Sequence, residues 1–234
     1  VINSYLNLAT DEFEKYAVEQ GTSMNEINVV FQDKLGYIWL GSQSGLERFD
    51  GYDFKNYNNG YSDSTKTNLQ WVNAISQDSE GNIWSSDDQG NISNYIRYED
   101  RWINYTISPY KDSLINADPE ELALYPRPKS IVVSNDDRYV YVGVDGLGLL
   151  RIDSRSGEQK LYDDNLEFIS SDDDKYPFKK IEKIEWLDSN TLLVATMNGI
   201  RMFDIESESY IKNYFDVENI NNKVPKSKNL WIKD

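Results

Sequence analysis

Six side chains have the type and setting to hold a ligand: Gln43, Asp87, Asp88, Gln89, Asp145 and Asn198. Each lies in a short polar stretch between two apolar segments, where the chain reverses and presents side chains to solvent. Amides and carboxylates together supply the donors and acceptors that hydroxyl groups need. If nothing binds there, the same residues are ordinary polar turns. Catalytic chemistry is far more restricted. The chain has no His and no Cys, so it cannot build a Ser-His-Asp triad, a thiolate nucleophile, a disulfide or a Cys/His metal site. An acid pair of the glycosidase kind stays formally open, but no motif selects two of the 40 acidic residues. The run Asp172-Asp173-Asp174 lacks the alternating spacing and distal Glu of a helix-loop-helix calcium site and reads as a solvated loop. The expectation is therefore no catalytic residue, no metal and no cofactor.

Composition narrows the partners. With 24 basic residues against its acids, the chain carries a net charge of -16, which repels phosphate backbones and anionic bilayers. Nucleic acid is not an expected partner, and a membrane is expected only through a segment outside this chain. No apolar run is long enough to cross a bilayer as a helix, and no signal-peptide pattern stands at Val1. Aromatic residues reach 13%, including 17 Tyr and 6 Trp, which favours pleated, half-buried strands.

The candidate turns sit at fixed places in an internal repeat. Asp33-Lys34-Leu35-Gly36-Tyr37-Ile38-Trp39 recurs as Asp78-Ser79-Glu80-Gly81-Asn82-Ile83-Trp84, an offset of 45 residues from Trp39 to Trp84. Each copy follows an alternating apolar stretch and reads as strand, Gly-centred turn, strand. Next comes Gly45-Leu46-Glu47-Arg48-Phe49-Asp50, echoed by Gly148-Leu149-Leu150-Arg151-Ile152-Asp153 and Gly199-Ile200-Arg201-Met202-Phe203-Asp204. A closing element reads Phe54-Lys55-Asn56-Tyr57, Trp102-Ile103-Asn104-Tyr105 and Ile211-Lys212-Asn213-Tyr214, with a poorer copy at Gln159 to Tyr162. Asp33, Asp78 and Asp188 end the first strand of their units, where a short carboxylate accepts backbone N–H groups of the turn. Trp39 and Trp84 read as packing between neighbouring units rather than as ligand contacts.

A four-stranded antiparallel unit repeating every forty-odd residues is the signature of a propeller blade. The fold class is all-β: a partial β-propeller with about four complete blades at residues 23–57, 69–105, 129–162 and 179–214, strands labelled A to D in each. Residues 13–16 resemble a lone D strand and residues 229–234 the start of a further blade, so the chain reads as an arc of a larger propeller. An open arc leaves an apolar blade face and a strand edge uncovered, which makes a homodimer an expectation. Two insertions, 106–128 and 163–177, interrupt the period; each is either a functional loop or a solvated excursion. The first could form one or two helical turns after Pro119.

The first blade resembles, almost continuously from Phe13 to Tyr57, the regulator-propeller repeats of bacterial two-component sensors; the second keeps Gln77-Asp78, Gly81, Ile83-Trp84 and Gly90, and the others are degenerate. The resemblance implies a periplasmic sensor region of an inner-membrane protein, followed in the whole protein by a membrane helix and a histidine kinase or cyclic-dinucleotide output domain. It implies a small-molecule or oligosaccharide ligand; by the strand order, the B–C loops that carry the six residues above share one face with the D–A connections, and that face is where binding is expected. The alternative is a propeller that scaffolds dimerisation or another protein without taking a small ligand.

Overall fold

The computed structural model describes residues 21–23, 26–57, 66–67, 69–107, 126–145, 147–162, 181–196 and 199–211. The proposed terminal strands, nearly all of both insertions, and Asn198 lie outside the described residues. What is described forms four separate four-stranded antiparallel sheets, each in simple up-and-down order. They are β1 to β4 (Ile27–Gln32, Ile38–Ser42, Gly45–Phe49, Phe54–Asn56), β5 to β8 (Val72–Gln77, Ile83–Asp87, Asn91–Ile96, Arg101–Thr106), β9 to β12 (Arg127–Val133, Tyr139–Asp145, Gly148–Asp153, Gln159–Tyr162) and β13 to β16 (Ile181–Trp186, Thr191–Thr196, Gly199–Asp204, Ser209–Tyr210). We call them blades 1 to 4. The closing strand of blade 4 starts before the Ile211 motif: Tyr210 pairs with Phe203 as Phe54 pairs with Phe49. The fourth copy of that motif is thus one residue out of step with the first.

The turn carboxylates act as their positions require. Asp33 Oδ1 accepts the N–H groups of Leu35 and Tyr37 at 2.9 and 3.0 Å, Asp78 Oδ1 that of Asn82 at 2.8 Å and Asp188 Oδ1 that of Asn190 at 2.9 Å. After strand C of blade 1, Asp50 Oδ1 takes the N–H groups of Tyr52 and Asp53, and Gly51 supplies the positive φ of 101° that an L side chain disfavours.

The cores lie between the sheets. Trp39, Leu46 and Tyr57 of blade 1 pack on Val72, Ile83, Tyr95 and Trp102 of blade 2. Ala74, Trp84 and Ile92 pack on Ile131, Val140, Val142 and Leu150 of blade 3. Val132, Tyr141 and Leu149 pack on Ile181, Ile184, Leu192 and Phe203 of blade 4. A middle blade is covered on both faces, which is why β10 is buried along nearly its whole length, whereas β1 keeps an alternation of half-buried and exposed positions. Trp39 and Trp84 are fully buried, as inter-blade packing requires.

Strand A of each blade lies against strand A of the next, β1 on β5, β5 on β9 and β9 on β13, so these strands form the inner arc. Each contains or faces a register shift at the same end: between Ile27 and Val29, Val72 and Ala74, and Ile181 and Lys183, and opposite Gly143 and Val144 in blade 3. A β-bulge leaves one residue unpaired and re-aims its side chain. The unpaired residues are Asn28, Asn73, Lys129 and Glu182, all polar.

Candidate functional site: the B–C loop face

Hydrogen bonds fix which loops share a face. The Trp71 N–H, in the connection entering blade 2, donates to the Gln43 carbonyl in the B–C loop of blade 1 at 3.2 Å. The neighbouring Gln70 N–H donates to Asp87 Oδ2 in the B–C loop of blade 2, also at 3.2 Å. Gly90 of that loop lies against Pro126 at the entry to blade 3. The A–B turns collect at the other end, where the Lys34 N–H reaches Gln77 Oε1 at 2.9 Å and the Ser79 N–H reaches Asp137 Oδ1 at 2.9 Å. B–C loops and blade-entry connections therefore form one face.

Five of the six sequence candidates are among the described residues, and they take different positions on it. Gln43 and Gln89 are exposed, Asp88 and Asp145 are half-buried, and Asp87 is fully buried. Asp87 holds its loop together: Oδ1 accepts the Gln89 and Asn91 N–H groups, both at 2.9 Å, and Oδ2 accepts Asn91 Nδ2 at 2.8 Å besides Gln70. Burial pushes its carboxyl up from the ordinary range, partly offset by these donors. Its role is to shape the loop that presents Asp88 and Gln89. Asp88 differs: its Oδ1 is enclosed and meets no hydrogen-bond donor among the described residues. Asp145 ends β10 opposite Arg127 of β9, at the blade 3 end of the face.

The structure adds groups that the repeat did not single out. At the corner where blades 1 and 2 meet, Asn28 Nδ2 donates to the Val72 carbonyl at 3.3 Å, and Asn73 Oδ1 accepts the Ser86 hydroxyl at 3.1 Å. Asn73 Nδ2 is enclosed and unpartnered among the described residues. Both are bulged positions, and a register break leaves no mark on an alternating pattern. Trp71, immediately before β5, is 40% exposed. Its signal was in the sequence: a Trp one residue outside the apolar strand, where packing between blades does not require it.

The resulting surface is rich in neutral amides and carries the exposed Trp71 ring. The chemistry of such a surface matches that of hydroxyl groups, which both donate and accept. Among the described residues no group of three or more acidic side chains is arranged to hold a metal ion.

The architecture is that of a β-propeller, and comparison with known proteins agrees. No family model matches the chain. A histidine kinase of Formosa agariphila, "Histidine kinase P4", is 40% identical over 53 residues, which are 23% of this chain and 4% of that protein. The extracellular domain of a hybrid two-component system from B. thetaiotaomicron superposes with a TM-score of 0.64 at 20% identity, over 87% of this chain and 26% of that one. Virginiamycin B lyase from Staphylococcus aureus follows at 0.56 and 14%, over 84% of this chain and 58% of that one. The chain thus spans about a quarter of the two-component structure. With identities of 20% or less, these superpositions establish the β-propeller fold.

Proposed function

We propose that this chain is the extracytoplasmic, periplasmic ligand-sensing propeller of a bacterial transmembrane signalling protein, and that it holds a small molecule or oligosaccharide on the B–C loop face. The observation that carries the reading is that the hydrogen bonds of Trp71 to Gln43 and of Gln70 to Asp87 bring two B–C loops to one face, where Gln43 and Gln89 are exposed. The alignment with the F. agariphila kinase and the likeness to the B. thetaiotaomicron domain support the sensor assignment, and the absence of His and Cys supports a binding role over catalysis. The signal output lies outside this chain.

The test is calorimetry of the purified chain against neutral oligosaccharides built from glucose, mannose, galactose, xylose and arabinose. For a sugar that binds, the double variant Asp88→Ala/Gln89→Ala is expected to lose at least about tenfold in affinity, equivalent to about 1.4 kcal/mol, with unchanged melting temperature. Unchanged affinity would reject the face.

A further inference from the structure

We infer that Trp71 is the stacking platform of the ligand site, and that the ligand is a neutral sugar lying with one ring face on its indole. The inference rests on the proposed binding face and names the residue and ligand class within it.

Three observations meet at this residue. The first is exposure. Trp39, Trp84 and Trp102 are at most 4% exposed, whereas Trp71 is 40% exposed and is the Trp among the large exposed apolar side chains. The second is strain. Its φ is +54°, in the left-handed region where a bulky side chain is an outlier. Backbone strain of this kind persists only where surrounding contacts over-determine it, and it gathers at ligand clamps. Here the contacts are explicit. The Trp71 N–H is held by the Gln43 carbonyl of blade 1, and the preceding N–H of Gln70 by the Asp87 carboxylate of blade 2. Two B–C loops fix the backbone leading into this Trp, and the residue keeps 40% exposure.

The third observation is the surroundings. Asn28, Asn73 and Gln43 bring amides to the same corner. A flat apolar ring beside such donors and acceptors suits a sugar, which has C–H groups on its faces and hydroxyls around its edge. The side chains grouped around Trp71 are neutral amides, and the chain's net charge is -16. Anionic sugars are therefore disfavoured.

The experiment uses the neutral panel together with oligogalacturonate as the anionic probe. Trp71→Ala is expected to weaken neutral-sugar binding by about tenfold or more, while Trp71→Phe, which keeps a ring, stays within about threefold of wild type. Trp71→Asn separates ligand binding from folding. Asn tolerates a positive φ, so this variant is expected to melt at or above the wild-type temperature while losing binding. A Trp held for packing would instead lower the melting temperature in both Trp71→Ala and Trp71→Asn, and that result overturns the platform. If Asp88→Ala/Gln89→Ala loses binding but Trp71→Ala does not, the platform is rejected and the face stands. Preference for oligogalacturonate overturns the ligand class. Heat from no probe overturns both the platform and the face.

Discussion

The seams between blades are not equivalent. Those between blades 1 and 2 and between blades 3 and 4 share a set of contacts that the seam between blades 2 and 3 lacks. In blade 1, Arg48 sits opposite Trp39 and stacks on Tyr37 at 4.4 Å; beside it Lys55 lies over Tyr57 and pairs with Asp100 of blade 2 at 3.1 Å. In blade 3, Arg151 sits opposite Tyr141 and stacks on Tyr139 at 4.4 Å. Lys160 lies over Tyr162, and both cations pair with Glu208 of blade 4. Asp100 and Glu208 occupy the same turn position, with φ of +48° and +50°. At the middle seam the register equivalents are Asn94, Ile103 and Gly157: both cations and the acid are lost together. The inner rim differs in the same way. A Cβ on Gly41 would lie 2.5 Å from Val29 Cγ1 and 2.6 Å from Val72 Cγ1, and one on Gly143 would lie 2.6 Å from Ile181 Cγ2, whereas blade 2 has Ser86 in that place. Blades 1–2 and 3–4 are clasped pairs, joined in the middle by apolar packing around Trp84. Complementary charges are worth having at a seam only when every member is present, which accounts for their joint loss.

The largest expected effect comes from the close approach. Gly41→Val forces overlap with two valines across two strands and should destabilise the chain by about 3 kcal/mol or more; Ser86→Ala, which removes one hydrogen bond, should cost about 1 kcal/mol. Denaturant melts of the two variants measure the difference, and equal losses would erase the distinction between seams.

Next are the two repeat aspartates, which sit at equivalent positions with opposite electrostatics. Burial opposes ionisation of Asp33, but hydrogen bonds from the Trp39 indole and from Arg97 of blade 2, with the Arg97 charge, hold its carboxyl below the ordinary range. Burial pushes the Asp78 carboxyl above that range, only partly offset by Asn82. A carboxyl lowered in the fold stabilises at neutral pH and loses that contribution as pH falls through the ordinary carboxylate range and below. A raised one opposes folding at neutral pH, and that penalty is relieved as pH falls through its folded value. Asp33→Asn should therefore cost about 2 kcal/mol at pH 7 and flatten acid unfolding, and Asp78→Asn should cost less. Urea melts between pH 3 and pH 7, a span chosen to bracket the ordinary carboxylate range near 4, decide the order.

The clasp itself comes third. Hydrogen bonds from Lys160 and Arg151, with the Arg151 charge, hold the Glu208 carboxyl down to about 2. The cluster is partly solvated, so screening reduces its worth, and Glu208→Gln should cost about 1 kcal/mol or less. That loss should shrink in high salt and as pH falls from the ordinary Glu range toward 2. Lys55→Met is the smallest, about 0.5 kcal/mol or less, because both Lys55 and Asp100 are about half exposed.

Much of the fold was legible because it is written locally. The Asp that closes an A–B turn, the Gly that follows it and the Ile-Trp of strand B lie within seven residues, so the repeat displays them directly. The shared face of the B–C loops followed from strand order alone. The clasp was hidden because its partners lie 45 and 57 residues apart: the cations stand in repeated segments, but the acids Asp100 and Glu208 that they meet do not. The bulges were hidden because Asn28 and Asn73 sit within otherwise apolar strands and only pairing reveals that a residue is skipped. Asp87 looked like a ligand group because a turn carboxylate reads the same whether its oxygens face outward or, as here, inward to four N–H donors. Trp71 escaped notice because Trp in this repeat otherwise means packing.

Hydrogen–deuterium exchange of the chain with and without a bound neutral oligosaccharide tests the central claim most directly. Slowed exchange is expected at the Gln43 and Asp87–Asn91 loops and at the Gln70–Asn73 entry to blade 2, with the A–B turns at Asp33 and Asp78 unchanged. Protection confined to those A–B turns would contradict the assignment of the ligand to the B–C loop face.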